Sequence, residues 1–241
     1  MAKFKLFAGR KGKADQAKNN QFVKIAREIH AAVRAGGPSA DANFALRTAI
    51  ANGRSIQMPM DSIERAIKKA SGADAANVIY EEIMYEGYGP GGVAILVKCL
   101  TDNRNRTAAD VRSAFNKRGG NMGESGCVSY MFDQKGVIIV SREDHEDEDE
   151  MLMQALEAGA DEMLASEDEF EILTAPNDFE QVKNALEKAG ITLGNASIRW
   201  VPQNYVAVAG DNAKTLERMM EGFSDLDDVQ DVYANFEMDE E

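Results

Sequence analysis

Phe22, Ile25, Ala26, Ile29, Ala32 and Val33 recur at the three-and-four spacing that sets apolar side chains along one stripe of a helix, and Gly36-Gly37-Pro38 supplies the stop. Lys18, Lys24, Arg27 and Arg34 fall off that stripe. A second helix is expected from about Asp41 to Asn52, burying Phe44, Ala45, Ala49 and Ile50, with Gly53 behind it. Pro59 opens a third. Its inward positions are Ile63, Ala66, Ile67 and Ala70, with Asp61 and Glu64 in the first turn, Lys68 and Lys69 in the last, and Gly72 at the end. Three short amphipathic helices cannot bury their faces singly, so the pattern predicts a small bundle preceded by a basic tail from Ala2 to about Asn20.

Beyond Tyr80 the pattern changes to strand, helix, strand. Tyr85 to Gly92 carries too many glycines for a strand and reads as a turn cluster feeding the next segment; it also lacks the lysine of a phosphate-binding loop. Val93 to Leu100 is a buried strand, and Thr107, with Asp110 three residues on, caps a helix that buries Ala108, Val111, Ala114 and Phe115. Cys127 to Phe132 is read as a second strand. Strands at 136–141, 161–166, 170–174 and 196–201 then interleave with helices at 147–158 and 178–189, a complete βαββαβ unit. The tail adds strand 205–209, helix 212–222 and strand 229–236. The fold class that follows is α+β and multidomain: an N-terminal three-helix domain followed by two ferredoxin-like α/β sandwich domains, one inserted in the other. The expected divisions are 1–79 (basic arm and helices), 80–132 plus 204–241 (split domain) and 133–203 (inserted acidic domain).

Charge changes the picture more than composition does. The 241-residue chain holds 27 Lys and Arg against 41 Asp and Glu, a net of −14. That charge is polarised: residues 1–79 carry 14 cations against 6 acids, residues 80–131 carry 6 of each, and residues 132–241 carry 7 against 29. Such asymmetry points to a polyanion partner at the basic end, and solubility combined with attraction between domains accounts for it equally well. The aliphatic runs 93–97 and 137–140 are far shorter than the roughly 20 residues a membrane helix needs. The N-terminus has no apolar stretch of signal-peptide length, so no membrane partner is expected and the chain is read as cytoplasmic.

Candidate chemistry is sparse. Cys99 and Cys127 stand far apart, which suggests neither a disulfide framework nor a zinc site, and His30 and His145 have no matching ligands nearby. The acidic run 143–150 lacks the glycine and ligand spacing of a calcium loop and reads as a solvated helix start. No nucleophile with its base is recognisable, so no enzyme, cofactor or metal is expected. Asp102-Asn103-Arg104-Asn105-Arg106-Thr107 lies between a strand and a helix start, where backbone N–H groups and two arginines suit a phosphate; the alternative is that Asn caps the turn and the arginines pair with local acids. Lys117-Arg118-Gly119-Gly120 is a second basic turn, or simply a helix end with dipole-compensating cations. The βαββαβ order is also that of RNA-recognition modules, yet strand 170–173 is flanked by Glu167, Asp168 and Glu169, which would repel phosphates. The basic arm, with Lys3, Lys5, Arg10, Lys11, Lys13 and Lys18, is the better phosphate-tracking element.

The stretches Glu81 to Ala94, Leu100 to Thr107 and Gly119-Gly120-Asn121 through Gly126 to Phe132 closely resemble the YebC/PmpR family, and Met58-Pro59 with Asp61, Ile63 and Arg65 to Lys69 fits the same family. The resemblance spans nearly the whole chain. It departs at the N-terminus, where Lys5 to Lys13 stands in place of a Ser-Lys-Trp stretch and a basic run: the charge is kept and the Trp is not. The resemblance implies a helical N-terminal domain with two α/β domains, and a non-enzymatic regulator of gene expression. Some members are described as DNA-binding transcriptional regulators; others, including the mitochondrial translational activators of cytochrome oxidase, as ribosome-associated.

Together these readings predict a nucleic-acid-binding regulator. Its expected contacts are Lys3, Lys5, Arg10, Lys11, Lys13, Lys18, Lys24, Arg27, Arg104, Arg106 and Arg118. Duplex DNA and ribosomal RNA are the alternative partners, and the acidic domains are left for solubility or for protein contacts. A ligand-sensing or protein-interaction scaffold is the competing class.

Overall fold

The computed structural model describes residues 14–72, 78–143, 145 and 147–238, with side chains described from residue 18 onward. The described residues form two compact units: residues from 14 to 128 with Gly210–Val232, and Ser129–Ala209 with residues 233–238. The architecture is α+β, helices first and sheets after.

The first unit begins with three helices, α1 (Ala14–Gly36), α2 (Phe44–Ser55) and α3 (Met60–Ser71). Ile25, Ile29, Ala32 and Val33 of α1 meet Leu46 and Ala49 of α2, Met58 after it, and Ile63 and Ala70 of α3 in one core. Two readings need correction here. The segment from Ala14 to Asn20, expected in the tail, is the first part of α1. In α2 the buried stripe is Leu46, Ala49 and Gly53, while Phe44 and Ala45 face solvent. The buried Asn43 sets that rotation: its Oδ1 accepts from the Leu46 N–H at 3.1 Å, and its amide donates to the carbonyls of Ala32 and Gly37, each at 2.8 Å.

Next comes a sheet of β1 (Glu81–Tyr88), β2 (Ala94–Thr101), β3 (Asn121–Met122) and β9 (Val229–Ala234) in the order β3-β1-β2-β9, with α4 (Arg104–Asn116) and α7 (Gly210–Ser224) packed together beside it. The first strand overturns the turn cluster expected from Tyr85. Gly87 is in the strand because nothing larger fits: a Cβ there would sit 2.5 Å from the Asn121 carbonyl oxygen and 2.9 Å from the Phe115 ring. Phe115 in turn packs edge to face on Phe223 of α7, at 4.8 Å between centroids. The cap of α4 is Asn103 rather than Thr107, and the Asn103 side chain accepts from the Arg106 N–H. Cys127–Met131 is not a strand: residues 129–131 form a 3₁₀ turn before the next unit's first strand.

The second unit holds β4 (Phe132–Ser141), α5 (Glu148–Ala158), β5 (Glu162–Ala165), β6 (Glu169–Thr174), α6 (Phe179–Lys188) and β7 (Leu193–Pro202). This is the expected βαββαβ sequence. The sheet order β5-β6-β4-β7 is antiparallel throughout, and α5 and α6 cover a core of Ile138, Val140, Phe170, Ile172, Met151, Val182 and Leu186. β8 (Val206–Val208) does not join the sheet of β1 and β2; it pairs in parallel with β10 (Phe236–Met238).

Candidate nucleic-acid interface

Of the predicted contacts, Lys3, Lys5, Arg10, Lys11 and Lys13 lie outside the described residues. Lys18 is exposed on the first turns of α1. The remaining five occupy two kinds of position.

Lys24, Arg27 and Arg106 converge on the acidic turn between α7 and β9. Arg27 Nη1 donates to Asp228 Oδ1 at 2.5 Å, and Arg106 reaches both Asp228 oxygens from Nη2 at 2.9 and 3.0 Å while also pairing with Asp102 at 2.8 Å. The Thr107 hydroxyl lies 2.6 Å from Asp228 Oδ2, and the Asp228 carbonyl accepts from the Leu100 N–H at 2.8 Å. Lys24 Nζ donates to the Ser224 carbonyl at 2.9 Å. Burial lowers the Lys24 pKa against the opposing charges of Asp231, Asp227 and Asp225. Lys24 and Arg27 therefore fasten α1 to this turn, and Arg106 ties the turn to α4.

Arg104 and Arg118 are placed differently. Arg104 is 67% exposed at the start of α4, 3.9 Å from Glu81. Arg118, half-buried after α4, lies across α7, where a Cβ on Gly222 would come within 3.0 Å of its Nη1. For the turn at 102–107, the geometry is the local one, with Asn103 capping and Arg106 paired to acids.

The structure also brings forward cations that were not named as contacts. Arg34, Arg47, Arg54, Arg65, Lys68 and Lys69 are all exposed on the three helices, and among the described residues none forms an ion pair. Each falls off its helix's apolar stripe, which is the signal that marks them in the sequence. Arg34 and Lys69 approach His30 from two helices: burial and then these two charges lower its pKa. That end of the bundle is electropositive. His30 also packs edge to face on Tyr80, centroids 5.2 Å apart.

One further loop is built with unusual care. Glu86 on β1 is buried, and its carboxylate accepts from the Gly126 N–H at 2.7 Å and the Val128 N–H at 2.9 Å, fixing the chain that follows Gly123. Cys99 is fully buried, and burial, reinforced by Asp228, pushes its thiol up to about 12. Among the described residues no group of His, Cys, Asp and Glu converges to hold a metal ion, and no helix is long and apolar enough to cross a membrane.

Comparison with known proteins places this geometry in a family context. Residues 2–73 match the family model described as the TACO1/YebC protein N-terminal domain, and residues 80–236 match the one described as the TACO1/YebC second and third domain. A protein of Anoxybacillus flavithermus named "probable transcriptional regulatory protein" is 51% identical over 98% of this chain and 96% of its own. One of Geobacter sulfurreducens with the same description is 49% identical over 96% and 93%. Among solved structures, a conserved hypothetical protein of Aquifex aeolicus superposes with a TM-score of 0.83 at 43% identity, covering 97% of this chain and 96% of that one.

Proposed function

The chain belongs to the TACO1/YebC family, whose members are regulators of gene expression, and from that membership we propose that it acts by binding nucleic acid through the cations of its helical layer. The observation that carries the reading is the set of exposed cations Arg34, Arg47, Arg54, Arg65, Lys68 and Lys69 on α1 to α3, which form no ion pair among the described residues, in a chain that puts its acidic excess after residue 131. Phosphate contacts need solvent-facing cations that are not already neutralised by a carboxylate, so that counterions are released on binding. Lys24, Arg27 and Arg106 are already engaged by carboxylates and backbone, so they hold the scaffold. Lys18 and the cations of residues 3–13 extend the same charge toward the N-terminus.

Duplex DNA at a promoter is the target in this reading, which the descriptions of the relatives favour. Ribosomal RNA is the second reading: no described helix stands apart with a row of base-reading side chains, so the positive layer suits backbone recognition. Binding to random duplex DNA and cosedimentation with ribosomes, each across a salt series, test both. DNA affinity that outlasts ribosome association as salt rises supports the transcriptional reading, and the reverse order supports the ribosomal one. Absence of both at low salt overturns nucleic-acid binding and leaves a protein-interaction scaffold.

A further inference from the structure

We propose that the outward face of α2 is a stacking platform for an unpaired base, with Phe44 as the stacking ring, Arg47 backing that ring, and Arg54, further along the same helix, as a phosphate contact. This rests on the nucleic-acid reading above and adds to its phosphate contacts a site for a base free of its own stack.

Phe44 is the first residue of α2 and is 58% exposed, although the core needs nothing from it: Leu46, Ala49 and Gly53 fill that side. The buried cap Asn43, bonded to Ala32 and Gly37, fixes the backbone from which the ring projects. The Arg47 guanidinium lies over the ring, 5.5 Å from its centroid, and its Nη1 is held by the carbonyls of Ala40 at 3.2 Å and Asp41 at 3.4 Å. With the cation over one face, the ring's opposite face is the one left for a base. Held this way, the ring loses little freedom when a base arrives.

The rest of the face is consistent with that ligand. At about 100° per residue, Phe44, Arg47, Thr48, Ala51, Arg54 and Ser55 point the same way, and all are exposed. The helix contains no Asp or Glu. Ala51 is small enough for a sugar-phosphate backbone to approach between the two arginines, which stand about 10 Å apart along the axis. The exposed Met153 and Leu156, by contrast, lie on α5, whose first turn holds Glu148, Asp149 and Glu150. Stacking on an aromatic ring is tolerant of base identity, so the site would confer preference for unpaired nucleotides without sequence specificity.

The test uses the full chain and fluorescence anisotropy with one labelled 12-nucleotide sequence, presented as single-stranded RNA, as single-stranded DNA and as the DNA duplex. Phe44→Ala should weaken single-strand binding by about tenfold or more. Duplex affinity and the salt slope should stay unchanged, and Phe44→Tyr should restore the loss. Because Phe44 is exposed, the melting temperature should hold, which separates the effect from misfolding. Whichever strand chemistry loses more identifies whether RNA or DNA is the source of the base. If Phe44→Ala binds all three probes like the parent while Arg47→Glu with Arg54→Glu abolishes binding, stacking is overturned and phosphate binding stands. If the double arginine variant also binds like the parent, α2 is not the platform. If the parent binds none of the probes at low salt, the nucleic-acid reading falls with it.

Discussion

Arg27 Nη1 and Asp228 Oδ1 meet at 2.5 Å across 201 positions of sequence, joining the middle of α1 to the turn before β9. The Asp228 side chain is only 8% exposed, and it also receives Arg106 and Thr107. A carboxylate this enclosed is tolerable only because each oxygen is met by a donor.

Removing that charge should therefore cost more than a surface pair would. Asp228→Asn is expected to destabilise the first unit by roughly 2–4 kcal/mol, since Arg27 and Arg106 would lose a shared, poorly solvated partner. Asp227→Ala, with its carboxylate 57% exposed and 3.9 Å from Arg27, should cost less than about 1 kcal/mol. Urea unfolding of the two variants beside the parent checks the ordering.

The same carboxyl gives the stability a pH dependence of known sign. Burial raises its pKa, but the hydrogen bonds from Thr107 and Arg106 and the charge of Arg27 outweigh burial and hold it below the ordinary carboxylate range. A depressed carboxyl contributes fully above its unfolded value of about 4, and the contribution is lost as pH falls through the folded value. Thermal melts between pH 6 and pH 2.5 should show the parent losing stability more steeply than Asp228→Asn. Parallel curves would exclude Asp228 as the group responsible.

Gly87→Ala is expected to damage the fold although a strand ordinarily accepts Ala. The new Cβ would press on the Asn121 carbonyl, a backbone atom that cannot swing aside, and on the Phe115 ring. A loss of about 2 kcal/mol or more follows from overpacking of this kind. Gly119→Ala has open space and strain only from its φ of +72°, so it should cost about 1 kcal/mol. Equal losses in denaturant titrations would contradict the steric account.

Glu86→Gln tests the loop it organises. Gln offers one acceptor oxygen where the carboxylate offers two, so either Gly126 or Val128 loses its partner. Hydrogen exchange at 123–128 should quicken by at least tenfold, consistent with about 1–3 kcal/mol for an orphaned buried amide. Unchanged protection there would show that the loop is held by other contacts.

The two thiols should differ in access. Cys127 is partly exposed and Cys99 is fully buried with its pKa pushed up to about 12. A disulfide reagent at pH 8 should therefore modify Cys127 in the native protein, and Cys99 only with global unfolding. Prompt reaction of both would mean that the sheet opens far below the global unfolding limit.

Much of the framework was legible in the chain, and the particular elements show why. The three N-terminal helices and the βαββαβ order of the second unit follow from local periodicity, because a helix or strand buries one face and the spacing of apolar residues records which. Polarised charge was legible too, since it is a property of composition along the chain. Local pattern failed where a neighbour distant in sequence decides. Glu81–Tyr88 is a strand because it pairs along its length with β2, and Phe115 and Asn121 leave room only for glycine at position 87. Phe44 faces solvent because Asn43 is drawn inward to Ala32 and Gly37. Lys24 and Arg27 read as free cations because nothing in their own segment announces Asp228, and for Arg106 the local partner Asp102 was legible while Asp228 was not. The sequence by itself determined the elements and the sign of each segment's charge. Only the tertiary structure decided which cations are held by carboxylates and which stay open to a partner, because pairing depends on distances that chain folding, and not chain order, brings about.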